Sequence, residues 1–90
     1  MKIMEMATAA NVAVALHSPY FGPGYIASMH CLAAHVGAAA PLERLFGKLE
    51  ATLYPGLVDP DANGDFPIPQ GPGLGADPDP QVMRDYADKT

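Results

Sequence analysis

The chain has 90 residues, 49% of them hydrophobic, which is long enough for one domain with a small core and too short for two. Ten acidic against five basic side chains give a formal net charge of −5, which argues against DNA, RNA or an anionic membrane surface as partners. A single cysteine, Cys31, excludes an internal disulfide, and no signal peptide or long apolar segment is evident, so a cytoplasmic protein is expected.

The first predicted element is a helix over residues 2–10. Good helix formers alternate there with apolar side chains at the 3.6-residue spacing of a one-sided helix, namely Ile3, Met6, Ala7 and Ala10. No Ser, Thr, Asp or Asn precedes this segment as an N-cap. We therefore expect a helix whose first turns are missing from the chain.

Two strands separated by a helix are predicted next. Residues 12–16, VAVAL, form a continuous apolar run of the kind found in a parallel strand that is buried on both faces. A helix is predicted over residues 25–38, ended by Gly37 and Pro41, and residues 42–46, LERLF, predict a second strand. Strands that alternate with a helix indicate parallel pairing through a right-handed crossover, so the predicted fold class is α/β.

The remainder of the chain is rich in glycine and proline. The stretch LVDPDANGDFPIP predicts a strand, a turn and a strand, because Asn63 followed by Gly64 tolerates the positive φ of a tight hairpin turn. QGPGLGADPDP does not fit regular structure. A final helix is predicted with Asp79 as its N-cap and Pro80 as its first residue.

Two titratable residues near the predicted strands are candidates for catalysis. His17 follows the first strand at its carboxyl end, where α/β folds gather catalytic groups, and an imidazole with an ordinary pKa of about 6.5 can act as a general acid or base. Glu43 lies in an apolar strand, where an acid is costly to bury without a partner. The alternatives are a histidine that only caps a loop, and a glutamate that is exposed or paired with Arg44.

The sequence gives little support for a metal site within this chain. Cys31 and His35 share a helix face, but His30 points about 140° away from His35 on an ideal helix, and tetrahedral zinc needs three or four ligands. DPDANGD resembles the first half of an EF-hand loop, yet Pro67 and Gln70 stand at loop positions nine and twelve. A polar hairpin turn accounts better for that segment, and no metal ligand is assigned to this chain.

Three motifs in order resemble one family. AVALHSPYFGPG, PLERLF and PIPQGPGLGADPDP are similar to the carboxyl-terminal part of enolase-superfamily enzymes of the mandelate racemase and muconate-lactonizing type, from about Ile3 to Tyr86. The most specific element is the combination of the histidine loop with the PGLG and DP tail. The resemblance implies that VAVAL and LERLF are the seventh and eighth strands of a (β/α)8 barrel. Residues 1–54 would then be a partial barrel fragment, and residues 55–90 the hairpin, the Gly/Pro-rich tail and the terminal helix.

The resemblance also implies roles for the site residues. His17 would match the histidine that moves the proton next to a substrate carboxylate or protonates a leaving hydroxyl. Glu43 would match the acid that hydrogen-bonds the substrate carboxylate as it becomes an enediolate. Ser18, Tyr20 and Phe21, in the loop after the histidine, are expected to contact the substrate.

The family's remaining catalytic groups lie on strands that this sequence does not contain. The resemblance implies Mg²⁺ as cofactor, held by three carboxylates on the third to fifth strands, a lysine base on the second strand, and an aspartate on the sixth that pairs with the histidine. A full barrel needs roughly 250 residues. We therefore expect a carboxyl-terminal fragment of a Mg²⁺-dependent racemase or dehydratase of hydroxy or sugar acids, inactive alone, with the missing barrel half as partner. The alternative is a stand-alone, non-catalytic α/β interaction module that forms homo-oligomers or docks on a partner.

Overall fold

A computed structural model describes residues 1–18, 20–35 and 41–88. These residues form three helices, α1 at Lys2–Ala9, α2 at Pro23–His35 and α3 at Pro80–Asp85, joined by turns and irregular segments. Within these described ranges, an isolated parallel bridge between Leu16 and Leu42 stands in place of a sheet. None of the three helices is both long and apolar enough to cross a membrane.

The predicted α/β class, with a partial barrel fragment, is therefore wrong for the described residues. The strands predicted over 12–16 and 42–46 meet only at the Leu16–Leu42 bridge, and the predicted hairpin has its turn but no strands. A strand buried on both faces needs a neighbouring strand and covering layers, and a lone pair of strands is marginal in water. Val12 is 58% exposed, so the apolar run VAVAL lacks that cover here.

Helix α1 confirms the predicted helix but not its predicted face. It begins at Lys2 without a side-chain cap, as expected. Met4 is its only buried residue, whereas Ile3 is 81% exposed and Met6 is 72% exposed. The helix thus presents Ile3, Met6 and Ala10 of the predicted apolar face to solvent, whereas Ala7 is partly buried.

Helix α2 is the centre of the hydrophobic core. It begins at Pro23, where a missing backbone N–H is harmless in the first turn, two residues before the predicted start. Its buried residues are Tyr25, Ile26, Met29 and Leu32. The predicted last turn and its stop at Gly37 lie outside the described residues.

Irregular chain, rather than another helix or a sheet, covers α2. The buried cluster adds Phe21, Tyr54 and Val58 to the helix residues, and the Tyr25 and Phe66 rings meet edge to face at 5.9 Å. The partly buried residues that pack on this cluster are Leu42, Leu53, Leu57, Phe66, Ile68, Leu74 and Ala76. Most of the residues that pack on this cluster thus lie in the second half of the chain, where apolar side chains stand between the prolines and glycines.

Close backbone packing explains Gly71 and Gly75 of GPGLG. Gly75 has φ +85°, and a Cβ there would lie 2.6 Å from Pro69, so only glycine fits without strain. The imidazole of His30 donates from Nε2 to the carbonyl oxygen of Leu74 at 2.9 Å, which ties this loop to α2. The Asp79 amide donates to the Leu53 carbonyl at 2.7 Å.

The polar turn and the last helix follow local rules and confirm the predictions. The carboxylate of Asp61 accepts hydrogen bonds from the amides of Asn63 and Asp65 at 2.8 Å and 3.0 Å, and Gly64 takes the positive φ of the turn. Asp79 caps α3 by accepting from the Gln81 amide at 2.7 Å, with Pro80 in the first turn.

The chain exposes more surface than a compact protein of its size. Its accessible surface is 6496 Å², about 30% above the roughly 5,000 Å² that the size scaling of folded monomers gives. The Cα radius of gyration is 14.7 Å, against about 12 Å for a compact domain of this length. A small core and an open surface therefore coexist in this molecule.

Candidate functional site

His17 and Glu43 are 26 residues apart in sequence but adjacent in space. The Nδ1 atom of His17 lies 2.8 Å from Oε2 of Glu43, within hydrogen-bond distance. Each residue directly follows one member of the Leu16–Leu42 bridge. Because neighbouring residues of a parallel pair project to the same side, the bridge sets His17 and Glu43 next to each other.

Both members of this pair are open to solvent. The His17 side chain is 79% exposed and that of Glu43 is 44% exposed. An exposed pair is accessible to a ligand, and it contributes only about 0–1 kcal/mol to stability. The geometry therefore brings the two predicted catalytic residues together without making them part of the core.

Arg44 points away from Glu43 and anchors the segment behind the pair. Its Nε donates to the Val58 carbonyl at 2.8 Å, and its guanidinium also pairs with the Asp59 carboxylate. The guanidinium carbon lies 5.0 Å from the centre of the Phe21 ring, in a cation–π contact. The alternative in which Glu43 pairs with Arg44 is therefore not formed.

Sequence reasoning missed the structural role of Arg44. The signal available was an arginine inside an apolar segment with an aspartate at position 59, where a buried or half-buried cation needs an acidic partner. Arg44 connects three parts of the chain, the histidine loop through Phe21, the LERLF segment, and the Val58–Asp59 segment. This network leaves the Glu43 carboxylate available to His17.

The three residues predicted to contact substrate occupy different environments. Tyr20 is 71% exposed, and Ser18 is half-buried, with its amide donating to the Leu16 carbonyl at 3.1 Å. Phe21 is buried in the core cluster and also lines a groove of ≈ 620 Å³ together with Leu53 and Val82. A role for these residues in substrate binding stays a prediction.

Behind Arg44 lies a buried tyrosine with an unusual environment. The side chain of Tyr25 has no exposed surface, and its hydroxyl has no hydrogen-bond partner in the described part of the chain. Burial raises the pKa of Tyr25 above its ordinary 10.0, the positive charge of Arg44 lowers it, and the negative charge of Asp59 adds to the rise. The phenol is thus held neutral by its surroundings.

The described residues do not fit a magnesium site. Mg²⁺ prefers several oxygen ligands in near-octahedral geometry. Over residues 1–18, 20–35 and 41–88, no group of three or more His, Cys, Asp or Glu side chains is placed to hold a metal ion. The carboxylate of Asp61 is already engaged by two backbone amides of its own turn. No step of a reaction is therefore assigned to a metal bound by this chain.

Comparison with known families identifies the class of protein. The family described as enolase C-terminal domain-like matches residues 1–82. The chain therefore belongs to this family, in agreement with the resemblance seen in its motifs. The match does not separate the mandelate racemase type from the muconate-lactonizing type. Searches of curated proteins and of solved structures give no match.

Proposed function

We propose that this chain supplies the histidine–glutamate part of the active site of an enolase-superfamily enzyme. The reaction class is abstraction or return of the proton next to a carboxylate, in a racemase or dehydratase of small hydroxy or sugar acids. Magnesium and the opposing lysine base, which the resemblance implies, would be held by polypeptide other than the described residues. Alone, the chain is expected to be inactive.

The observation that carries this proposal is the contact between His17 and Glu43. The two residues were selected from separate motifs, and their side chains meet at 2.8 Å in a chain of the enolase C-terminal domain-like family. An imidazole held by a carboxylate and otherwise open to solvent is suited to general acid–base catalysis. A chance pair of surface residues would not be expected to join the two positions that the family motifs mark.

The chemical step assigned to His17 is a proton transfer. A substrate carbon next to a carboxylate loses its proton to the imidazole, the electron pair of the broken C–H bond remains on the substrate as an enediolate, and the imidazole becomes imidazolium. In a racemisation the reverse transfer returns the proton to carbon. In a dehydration the imidazolium gives its proton to the hydroxyl on the next carbon, whose C–O bond breaks as the enediolate electron pair forms a C=C bond, and water leaves. Such proton transfers contribute about 10²–10⁴-fold to rate.

The open surface of the chain supports a role as part of a larger active unit. The accessible surface of 6496 Å² exceeds that of a compact monomer, and large apolar side chains such as Ile3 and Phe46 are exposed. Large apolar side chains left in solvent favour packing against further polypeptide. The proposal therefore includes a protein partner that completes the site.

Proton exchange into substrate tests the proposal directly. The purified chain is incubated in D₂O buffer containing Mg²⁺ with a panel of 2-hydroxy acids and sugar acids, with and without the polypeptide translated in frame from the DNA upstream of Met1. We expect exchange of the α-proton only in the combined sample. His17→Gln should lower that exchange about 10²–10⁴-fold.

The matched control is His35→Gln, because His35 bonds Thr8 at 2.9 Å on the α1 side of the molecule and lies outside the pair. This variant should keep the exchange rate of the unmodified chain. Exchange that survives His17→Gln would overturn the proposal, as would an upstream frame closed by a stop codon or a combined sample without exchange. Exchange by the chain alone would refute its inactivity.

Self-association is a second candidate function, favoured by one observation. Phe46 is 101% exposed and Leu45 and Leu49 nearby are about half exposed, which is unusual for a segment of a soluble monomer. A second copy of this chain could cover that segment. Light scattering across a range of concentrations tests this: a Phe46→Ser variant should stay monomeric where the unmodified chain associates, and a chain that is monomeric at every concentration argues against self-association.

A further inference from the structure

We infer that Arg44 is a positioning residue that holds Glu43 beside His17. It acts through the segments of the chain that carry the two residues, and it is not assigned a contact with substrate. This assignment rests on the proposed function for its role in catalysis, whereas the contact that Arg44 supports is measured without any reaction.

The first argument is that the histidine–glutamate pair needs an anchor. The 2.8 Å contact joins His17 and Glu43 side chains that are 79% and 44% exposed, and an exposed pair of this kind contributes little to its own formation. The Leu16–Leu42 bridge is isolated among the described residues, and a lone pair of strands is marginal in water. Another contact must therefore hold the glutamate segment against the histidine loop.

Arg44 makes contacts that meet this need. Its Nε donates to the Val58 carbonyl at 2.8 Å, and its guanidinium pairs with the Asp59 carboxylate. The guanidinium carbon lies 5.0 Å from the centre of the ring of Phe21, which belongs to the loop that follows the histidine. Val58 and Phe21 are both part of the buried cluster. One side chain thus fastens the glutamate segment to the core and to the histidine loop.

The second argument concerns the direction in which Glu43 points. Burial alternates over this segment, because Leu42 and Arg44 are half-buried while Glu43 and Leu45 are exposed. Such alternation is typical of an extended segment, in which successive side chains project to opposite sides. Leu42 packs on the core cluster. Contacts of Arg44 on the same inner side therefore keep the intervening carboxylate on the outer side, where His17 lies.

The third argument is the chemistry of the guanidinium group. It is planar, carries several N–H donors in a fixed fork, and can stack on an aromatic ring while its edge donates hydrogen bonds. Arg44 uses the edge for the Val58 carbonyl and the Asp59 carboxylate, and its charge for the Phe21 ring. A lysine ammonium has the charge but not the fork, so it should not replace the whole set of contacts.

A double-mutant experiment read by NMR on the purified chain tests the inference. The ring signals of His17, assigned from those lost in His17→Gln, are compared with and without Glu43→Gln at one fixed pH. We expect Glu43→Gln to displace these signals when Arg44 is present, and to lose most of that effect in an Arg44→Gln background. Arg44→Lys should retain only part of it.

The chain contains matched controls for this measurement. Arg84→Gln removes another guanidinium, one that donates to Gln81 on α3 at 2.7 Å, and should leave the displacement unchanged. Asp59→Asn removes an exposed partner of the guanidinium and keeps the backbone acceptor, so it should fold and still reduce the displacement. The signals of His30, which contacts the Leu74 carbonyl, report whether the fold is kept.

A displacement as large in Arg44→Gln and Asp59→Asn as in the unmodified chain overturns the inference, as does a lack of displacement in the unmodified chain. Full retention in Arg44→Lys would overturn the assignment to the guanidinium fork. If Arg44→Gln loses the His30 signals, the milder Asp59→Asn variant decides.

Activity gives a second measurement whose failure is separate from the first. In the sample combined with the upstream polypeptide, Arg44→Gln should lower kcat with little change in KM, because a positioning residue acts without binding substrate. Arg84→Gln should leave both constants unchanged. A combined sample without turnover would refute the proposed function and leave the NMR result standing, whereas a raised KM with unchanged kcat would contradict positioning.

Discussion

The core around α2 and the exposed histidine–glutamate pair are built on different principles. Tyr25, Ile26 and Val58 have no exposed surface, whereas the side chains of His17 and Glu43 are 79% and 44% exposed. Full burial of an apolar side chain contributes about 1.5–3 kcal/mol, and an exposed ion pair about 0–1 kcal/mol. The comparison teaches that the stability of this chain lies in the core, while the pair depends on the core for its position.

Truncation of the core should have the largest effect. Ile26→Ala removes a fully buried side chain from α2 and should lower the free energy of unfolding by about 2–4 kcal/mol in urea titrations followed by circular dichroism. Ile3→Ala is the matched control, because Ile3 is 81% exposed and its loss should change stability by less than about 0.5 kcal/mol. If the two variants lowered the free energy of unfolding equally, burial would not distinguish the two regions in their contribution to stability.

The Gly/Pro segment that covers the core should also be sensitive. Gly75→Ala combines a φ of +85° with a Cβ that would lie 2.6 Å from Pro69, and should cost about 2 kcal/mol. Gly24→Ala is the control, since a Cβ at this helical position meets nothing within 4 Å and should be neutral or slightly stabilising. An unchanged urea midpoint for Gly75→Ala would mean that this segment is not part of the cooperative core.

The buried hydroxyl of Tyr25 lowers the stability of the core, and a substitution can remove it. Tyr25→Phe deletes a group without a hydrogen-bond partner in the described part of the chain and should stabilise the fold by about 1 kcal/mol. Tyr86→Phe is the control, because its hydroxyl donates to Glu50 at the surface and its loss should not stabilise. A destabilised Tyr25→Phe variant would indicate that the hydroxyl has a partner.

Ionisation of Tyr25 should lower the stability of the core at alkaline pH. Burial raises the pKa of Tyr25 above 10.0, so folding favours the protonated phenol. This contribution is fully present below about pH 10 and is lost as the pH rises through the folded pKa. Urea titrations at several alkaline pH values should show a smaller loss of stability for Tyr25→Phe than for the unmodified chain.

The exposed pair should have the smallest effect on stability. Glu43→Gln should change the free energy of unfolding by less than about 0.5 kcal/mol, because the pair is exposed and screened. Glu5→Gln, which removes an exposed acid on α1, should behave alike. A loss of more than about 2 kcal/mol for Glu43→Gln alone would place the pair in the stabilising core and abolish the distinction drawn above.

Local chemistry made several elements predictable. Asp79 and Pro80 mark the start of α3 because a cap and a proline at the first turn satisfy requirements of the helix end itself. The Asp61–Gly64 turn is likewise formed from its own side chain and a residue that tolerates positive φ. These features depend on neighbours in sequence, and the prediction needed no knowledge of the rest of the fold.

Elements that depend on distant partners were predicted less well. The apolar runs VAVAL and LERLF predicted strands, but a strand requires other strands beside it, and among the described residues only Leu16 and Leu42 pair. The inner face of α1 was misjudged for a related reason, since the side of a short helix that becomes buried depends on which parts of the chain pack against it. The role of Arg44 depends on Asp59 and Phe21, which only the folded chain brings near it.

The sequence by itself determined the three helices in outline, the polar turn, and the choice of His17 and Glu43, because caps, turn residues and family motifs are local features. The tertiary structure decided that the two residues touch, that Arg44 turns away to Asp59, and that irregular chain rather than a sheet covers α2. The physical reason is that hydrogen-bond partners and burial are set by residues far apart in the chain, so their placement follows only from the packed whole.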